Sequence, residues 1–193
     1  MAETNTMVFQ DSDYGELLGK LENAETRLLV LFIGLYEPHK KKALRDLERS
    51  ANLETNHFDF NDIVSKIESE TFENIDRIFG GLPDSPALLH FSNGDKLCGA
   101  YTGFTHSKVK YATPQERHFL REVRKYRGLV VIDITETDSA DETILRAADA
   151  TVYFPLPNSP IRRILWHLKH YSLHGYDIKT KRPEPYEERS THI

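Results

Sequence analysis

Gly34 and Lys40 are the residues whose types and spacing most directly suggest chemistry. Gly34 ends the apolar run LLVLFIG, and Lys40 follows six positions later, just before an amphipathic helical pattern that begins at Ala43. A strand, a glycine, a short loop and a lysine at a helix start form the layout of the phosphate-binding pattern G-x-x-x-x-G-K-[ST]. Backbone N–H groups at the helix N-terminus hold phosphate oxygens in that pattern, so the spacing predicts a nucleotide-binding scaffold.

The other loop positions do not keep this chemistry. His39 stands where the second glycine belongs, and its Cβ blocks the close approach of the backbone to a phosphate. Pro38 lacks an N–H donor, and Glu37 adds a repelling charge. Lys41 replaces the hydroxyl residue that would bind Mg²⁺. The loop therefore predicts a scaffold that does not hydrolyse nucleotide.

Two interpretations remain for Lys40. It could contact a phosphate, as the spacing suggests. The interpretation that we favour from the sequence is a solvated first helical turn formed by Lys40, Lys41 and Lys42, although cations at a helix N-terminus oppose the helix dipole.

Histidine and cysteine give weaker indications. His167, His170 and His174 share one stripe of a predicted helix, and a zinc site there needs a further ligand from another element. We expect instead an amphipathic helix with a polar edge, and therefore no metal. His90, inside an apolar strand, is predicted to be a hydrogen-bonded core residue. Cys98 has no base beside it in the sequence, so a catalytic thiol has no support.

The composition bounds the class of protein. The chain has 193 residues, 39% of them hydrophobic and 28% charged, and its net charge is −5. This length fits one α/β domain with a proper core. The acidic balance gives no reason to expect nucleic acid, and one cysteine excludes an internal disulfide and fits a reducing compartment. No apolar run is long enough to span a bilayer. We expect a cytoplasmic protein with no membrane partner and no small-molecule substrate.

The pattern of elements predicts a parallel five-stranded sheet with helices on both faces, because continuous apolar segments typical of buried strands alternate with helical patterns. The strands are predicted at 27–33, 57–60, 87–91, 129–134 and 151–154. The helices are predicted at 11–24, 38–50, 70–79, 114–126 and 159–174. The domain organisation is predicted as an N-terminal arm and helix (1–26, with 1–10 a loose arm), an α/β core (27–158), one further helix (159–178) and a disordered tail (179–193).

Several segments in order resemble the core of AAA-family ATPases. Ile63-Val64-Ser65-Lys66 and Asn74-Ile75-Asp76-Arg77-Ile78-Phe79 follow a family pattern in register, and GLVVIDIT and ILRAADATVYFPLP resemble later family segments. The resemblance implies a P-loop NTPase-like fold with the family's helical lid largely missing. Within the family, the chain resembles compact bacterial AAA proteins, some of which accompany phage-tail-like contractile injection machines.

The resemblance also implies roles that this chain fills incompletely. Ser92 and Asn93 stand where the Walker B Asp and Glu would bind Mg²⁺ and polarise water. Thr135 falls at the sensor-1 position, and Arg146 matches one arginine finger. Ile67 and Glu68 replace the aromatic of the pore loop, so the grip on a translocated polypeptide is expected to be lost.

These departures predict a pseudo-ATPase. The first hypothesis is a non-catalytic structural or adaptor protein that acts through protein–protein contacts, by self-assembly or with an active ATPase, with Arg146 and Trp166 at its interaction surfaces. A second hypothesis is a nucleotide sensor without turnover, which would bind ATP or ADP through Gly34, Lys40, Thr135 and Arg146. The third is an enzyme of another class on the same scaffold.

Overall fold

The computed structural model describes residues 5–21, 27–83, 85–98, 100–101, 110–135, 139–156, 159, 161 and 164. The strands are β1 Asn5–Val8, β2 Leu28–Gly34, β3 Thr55–Asp59, β4 Leu88–Ser92, β5 Ala100–Tyr101, β6 Lys110–Tyr111, β7 Leu129–Ile134 and β8 Ala150–Phe154. The helices are α1 Ser12–Leu21, α2 Glu37–Ala51, α3 Phe60–Ile63, α4 Glu68–Gly80, α5 Pro114–Lys125 and α6 Glu142–Ala147.

The central sheet has six strands in the order β1-β8-β2-β7-β4-β3, and all neighbouring pairs are parallel. Strands β2 and β7 lie in its centre, and every residue of β7 is buried. This burial explains their continuous apolar sequences, since a parallel strand with helices on both sides meets no solvent. The predicted α/β fold with helices on both faces is confirmed.

Alternate residues of β2 pack on opposite faces of the sheet. Leu31 and Ile33 belong to a core cluster with residues of α3, α4, α5 and α6. Val30 and Phe32 belong to a second cluster with residues of α1 and α2. The period of two along the strand thus divides the core into two layers.

The N-terminal arm differs from the prediction. Residues 5–8 form the edge strand β1, which pairs with β8 from Asn5 opposite Ala150 to Val8 opposite Tyr153. Phe9, which follows this strand, is 6% exposed and packs against Phe154 with ring centroids 5.2 Å apart. The prediction of a loose arm over residues 1–10 is therefore wrong for 5–8, and the sheet has one strand more than the five predicted.

The region between β4 and α5 also contains elements. A 3-10 turn spans Gly94–Lys96, and β5 pairs with β6 in an antiparallel arrangement. No helix among the described residues is long and apolar enough to cross a bilayer.

The chain divides into two compact units, Met1–Leu156 and Pro157–Ile193. Only residues 159, 161 and 164 of the second unit belong to the described part, where Ile161 and Ile164 are 69% and 59% exposed. The predictions of a remnant lid helix and a disordered tail lie mostly outside the described residues.

Candidate functional site

The candidate site lies at the carboxyl edge of the sheet, where β2, β7, β4 and β3 end side by side. In open parallel sheets with helices on both faces, ligands bind at this edge. The loop from β2 to α2 begins at Gly34 and brings Lys40 to the end of β7. The sequence-predicted residues Gly34, Lys40 and Thr135 therefore all lie along this edge.

Lys40 is buried, with 3% of its surface exposed. Its ammonium group forms an ion pair with the carboxylate of Asp133 on β7 and donates a hydrogen bond to the Ile134 carbonyl oxygen at 3.1 Å. A carboxylate oxygen of Glu37 lies 3.9 Å away. The prediction of a solvated first turn is wrong for Lys40, because this side chain points inward over the end of β7, whereas Lys41 and Lys42 are exposed.

Asp133 is the counter-charge of this lysine. Burial raises the pKa of the carboxyl group to about 6, and the positive charge of Lys40 opposes that rise. The Lys40 ammonium thus already has a close carboxylate partner at the helix N-terminus. An incoming phosphate would have to compete with Asp133 for it.

Two histidines extend the polar cluster toward the edge of the sheet. His90 Nε2 lies 3.9 Å from an Asp133 oxygen, and His90 Nδ1 lies 3.1 Å from His57 Nδ1. Burial, followed by the charges of His57 and Lys40, lowers the pKa of His90 to about 4, so its imidazole is neutral at physiological pH. The predicted hydrogen-bonded role of His90 is confirmed.

The loop uses its own N–H groups internally. The N–H of Glu37 donates to the Leu35 carbonyl at 3.1 Å. The N–H groups of His39 and Lys40 donate to the Tyr36 carbonyl at 3.1 and 3.4 Å. Because Pro38 has no N–H, every N–H group in the first turn of α2, residues 37 to 40, has an acceptor inside the protein.

Gly34 is required by the packing of the sheet. Its φ is +140°, and a Cβ there would lie 2.4 Å from the carbonyl oxygen of Phe154 on β8. Only glycine tolerates both this conformation and this approach. The glycine therefore has a structural reason in this chain that does not depend on phosphate.

Ser92 and Asn93, which the resemblance places at the Walker B positions, make internal contacts toward β3. Ser92 Oγ donates to the Phe58 carbonyl at 3.3 Å. The Asn93 amide donates to both carboxylate oxygens of Asp59, at 2.8 and 2.9 Å. Nearby, a carboxylate oxygen of Asp95 accepts a hydrogen bond from the Thr135 N–H at 2.9 Å. These contacts hold the strand ends together.

Arg146 lies apart on α6. Its side chain is 72% exposed and forms an ion pair with Glu142, one helical turn earlier. This local pair keeps the guanidinium at the surface. Trp166 and the stripe of His167, His170 and His174 lie outside the described residues.

Sequence reasoning missed Asp133 and His57. The available signal for Asp133 was its position in GLVVIDIT, because a carboxylate in an otherwise apolar buried strand needs a partner. His57 had no such signal, since its proximity to His90 follows from the pairing of β3 with β4.

Neither a known protein family nor a curated protein matches this sequence. Among solved structures, the fold is similar to a chain of the E. coli MS115-1 HORMA:CdnC:Trip13 complex, with a TM-score of 0.55 and 15% identity over 86% of this chain and 69% of that chain. It is also similar to the FIGL-1 AAA domain in complex with ADP, with a TM-score of 0.51 and 17% identity over 76% of this chain and 49% of that chain. At these identities the similarity shows an AAA-like, P-loop NTPase-like fold and nothing finer.

Proposed function

We propose that this protein is a non-catalytic structural or adaptor protein on an AAA-like scaffold, and that it acts through protein–protein contacts. The observation that carries the proposal is that the lysine and N–H groups at the predicted phosphate-binding position already have partners inside the protein. Lys40 is buried against Asp133, and the N–H groups of residues 37, 39 and 40 donate to the carbonyls of Leu35 and Tyr36. These N–H groups and this ammonium group already have partners, whereas phosphate binding at a helix N-terminus uses free N–H donors and an uncompensated positive charge.

The Walker B positions support the absence of turnover. Metal-assisted attack of water on a phosphate needs an acidic metal ligand and a group that orients the water. Ser92 and Asn93 supply no acidic group, and their side chains bond to Phe58 and Asp59. Asp59 is acidic, but both of its oxygens accept from the Asn93 amide, and one also accepts from the Asn61 N–H at 2.8 Å.

A role in assembly is supported by two exposed side chains, one of them large and apolar and the other a cation at a position where AAA cores pack against a neighbouring subunit. Ile67, at the position of the pore-loop aromatic, is 55% exposed. Arg146, at a finger position, is 72% exposed. One structural neighbour was itself solved within a complex of several proteins, which is compatible with a scaffold of this kind serving in an assembly.

The second candidate function is a nucleotide sensor. The observation that favours it is the retention of a buried lysine at the N-terminus of α2, beside a strand end. A triphosphate could displace Asp133 from Lys40 if its own charge offset the lost ion pair.

Calorimetric titration with ATP and with ADP, each with and without Mg²⁺, tests the proposal directly. We expect no binding heat and no rise in melting temperature at millimolar nucleotide. Micromolar binding that disappears in Lys40→Met would reject the non-catalytic adaptor in favour of the sensor. Asp133→Asn is the informative second variant, because it removes the competing charge while Lys40 stays in place.

The assembly is tested on the same purified protein by light scattering coupled to size exclusion over a range of concentrations. We expect a mass that rises with concentration in the wild type and falls toward that of one chain in Ile67→Ser or Arg146→Ala. Glu73→Gln, an exposed change on α4, is the matched control. A monomer at every concentration would contradict self-assembly and leave a different protein as the required partner.

A further inference from the structure

A second cluster of polar side chains lies on α4 and α5, away from the carboxyl edge of the sheet. One ligand atom from each of Asp76, His118 and Glu122 can be chosen so that all three lie within 4.8 Å of one another. His118 and Glu122 are four residues apart on α5, so they share one face of that helix. Asp76 faces them from α4, and its oxygen lies 2.7 Å from His118 Nε2.

The cluster is partly shielded and its imidazole is oriented. The side chains of His118 and Glu122 are 12% and 13% exposed, whereas that of Asp76 is 57% exposed. The Phe72 ring stacks on the His118 ring, with centroids 4.7 Å apart and an angle of 26° between planes. This stacking holds Nε2 toward Asp76, as groups around metal sites hold their ligands.

A cavity adjoins the cluster at the end of α4 and α5. Its volume is about 480 Å³, and Asp76 and Glu122 are among its lining residues, together with Phe79, Lys125, Tyr126 and Arg127. Two of the three candidate ligands thus border a space large enough for water or a small anion. This is the arrangement of a metal site that keeps positions open.

We propose that Asp76, His118 and Glu122 bind a divalent transition-metal ion, with Zn²⁺ as the first choice, and that water from the cavity completes the coordination. One imidazole nitrogen and two carboxylate oxygens suit Zn²⁺, whereas Mg²⁺ and Ca²⁺ prefer oxygen ligands alone. Two ligand atoms on one zinc ion lie roughly 3 to 3.5 Å apart at the usual bond lengths. Coordination therefore requires these three atoms, now within 4.8 Å of one another, to reach this distance by side-chain rotation.

Two neighbouring cations set the conditions for binding. Arg121 lies 2.6 Å from His118 Nδ1, and because a guanidinium only donates, Nδ1 accepts and Nε2 carries the proton. Metal binding moves that proton to Nδ1 and releases Arg121 to solvent. Lys125, 2.7 Å from Glu122, is displaced in the same way. Both cations are more than half exposed, so their release meets little steric resistance.

The test is calorimetric titration of untagged, chelator-treated full-length protein with ZnCl₂, and separately with MgCl₂. We expect one equivalent of Zn²⁺ to bind and to raise the melting temperature. We expect no binding of Mg²⁺. Asp76→Asn and His118→Gln should each weaken zinc binding by at least about tenfold. Glu73→Gln, on the same helix as Asp76, should bind zinc as the wild type does.

A control variant separates this site from the histidines near the C-terminus. The triple variant His167→Ala, His170→Ala, His174→Ala should retain the zinc equivalent. Loss of zinc binding in the triple variant, or no zinc binding by the wild type, would overturn the proposal. Circular dichroism before each titration establishes that a variant is folded. Co²⁺ absorption in the visible range gives a readout of metal coordination that does not depend on stability.

Discussion

Lys40 and Asp133 form a buried ion pair although 93 residues separate them in the chain. The lysine belongs to the first turn of α2, and the aspartate to the central strand β7. A pair of this kind stabilises weakly overall, because desolvation of both charges offsets their attraction. Removing one partner is costly, because it leaves a buried charge uncompensated.

Asp133→Leu should therefore destabilise the protein by about 3 to 5 kcal/mol, because Lys40 loses its partner in a buried position. The double variant Lys40→Met with Asp133→Leu should recover most or all of this loss, since neither charge remains. Urea unfolding at neutral pH measures both. Equal losses in the single and double variants would mean that the ion pair is not coupled as the geometry indicates.

Stability should depend on pH in opposite ways through Asp133 and His90. The pKa of Asp133 is raised from 3.8 to about 6, so its contribution is complete below pH 3.8 and is lost as the pH rises through about 6. The pKa of His90 is lowered from 6.5 to about 4, so its contribution is complete above pH 6.5 and is lost as the pH falls through about 4. Each shift changes the free energy of unfolding by about 3 kcal/mol at 1.36 kcal/mol per pKa unit. Because the two changes have opposite signs over nearly the same pH range, they nearly cancel in the wild type.

Single variants should uncover each contribution. Between about pH 4 and pH 6.5, Asp133→Asn should gain stability with rising pH, because of these two groups only His90 still titrates. His90→Gln should lose stability over the same range, because only Asp133 does. Urea midpoints across this range provide the measurement. If the stability of the wild type, Asp133→Asn and His90→Gln changed with pH in the same way, the prediction would be contradicted.

Gly34→Ala should destabilise the protein by at least about 3 kcal/mol, since left-handed strain alone costs roughly 1–3 kcal/mol and the new Cβ would also meet the Phe154 carbonyl. The matched control is Gly15→Ala in α1, where nothing lies within 4 Å of the added Cβ. The control should stabilise by about 0.5–1 kcal/mol through helix propensity. Chemical unfolding compares the two, and a neutral Gly34→Ala would contradict the close pairing of β2 with β8.

Phe9→Ala tests whether the N-terminal segment belongs to the folded core. Phe9 is 6% exposed and packs against Tyr14 and Phe154, so its truncation should cost about 3–5 kcal/mol. Val8→Ala, at a neighbouring residue that is 38% exposed, should cost less than about 1 kcal/mol. Similar small losses in both variants would favour the loose arm that the sequence predicts.

Arg146→Ala should change the free energy of unfolding by less than about 0.5 kcal/mol, because exposed ion pairs one helical turn apart contribute little. Both side chains of the Arg146–Glu142 pair are more than half exposed. Thermal and urea unfolding measure this. A large loss would show that Arg146 is structural, and its effect on assembly could not then be read as a contact at an interface.

Most of the α/β core follows from local sequence patterns. The apolar runs of β2 and β7 predict buried parallel strands, and Pro38 and Pro114 mark the first turns of α2 and α5. These signals are local, because a continuous apolar run and a proline at a helix start can each be recognised within a few neighbouring residues.

The candidate sites depended on the tertiary structure. The sequence identified the position of Lys40, but not its partner, because the meeting of α2 with the end of β7 is a consequence of strand order. Asp76 and His118 are 42 residues apart and meet only because α4 packs on α5. β1 escaped prediction because its four residues carry too short a pattern, and pairing with β8 supplies the hydrogen bonds that stabilise it. Long-range pairing and desolvation, which no local pattern encodes, therefore decided which polar groups meet.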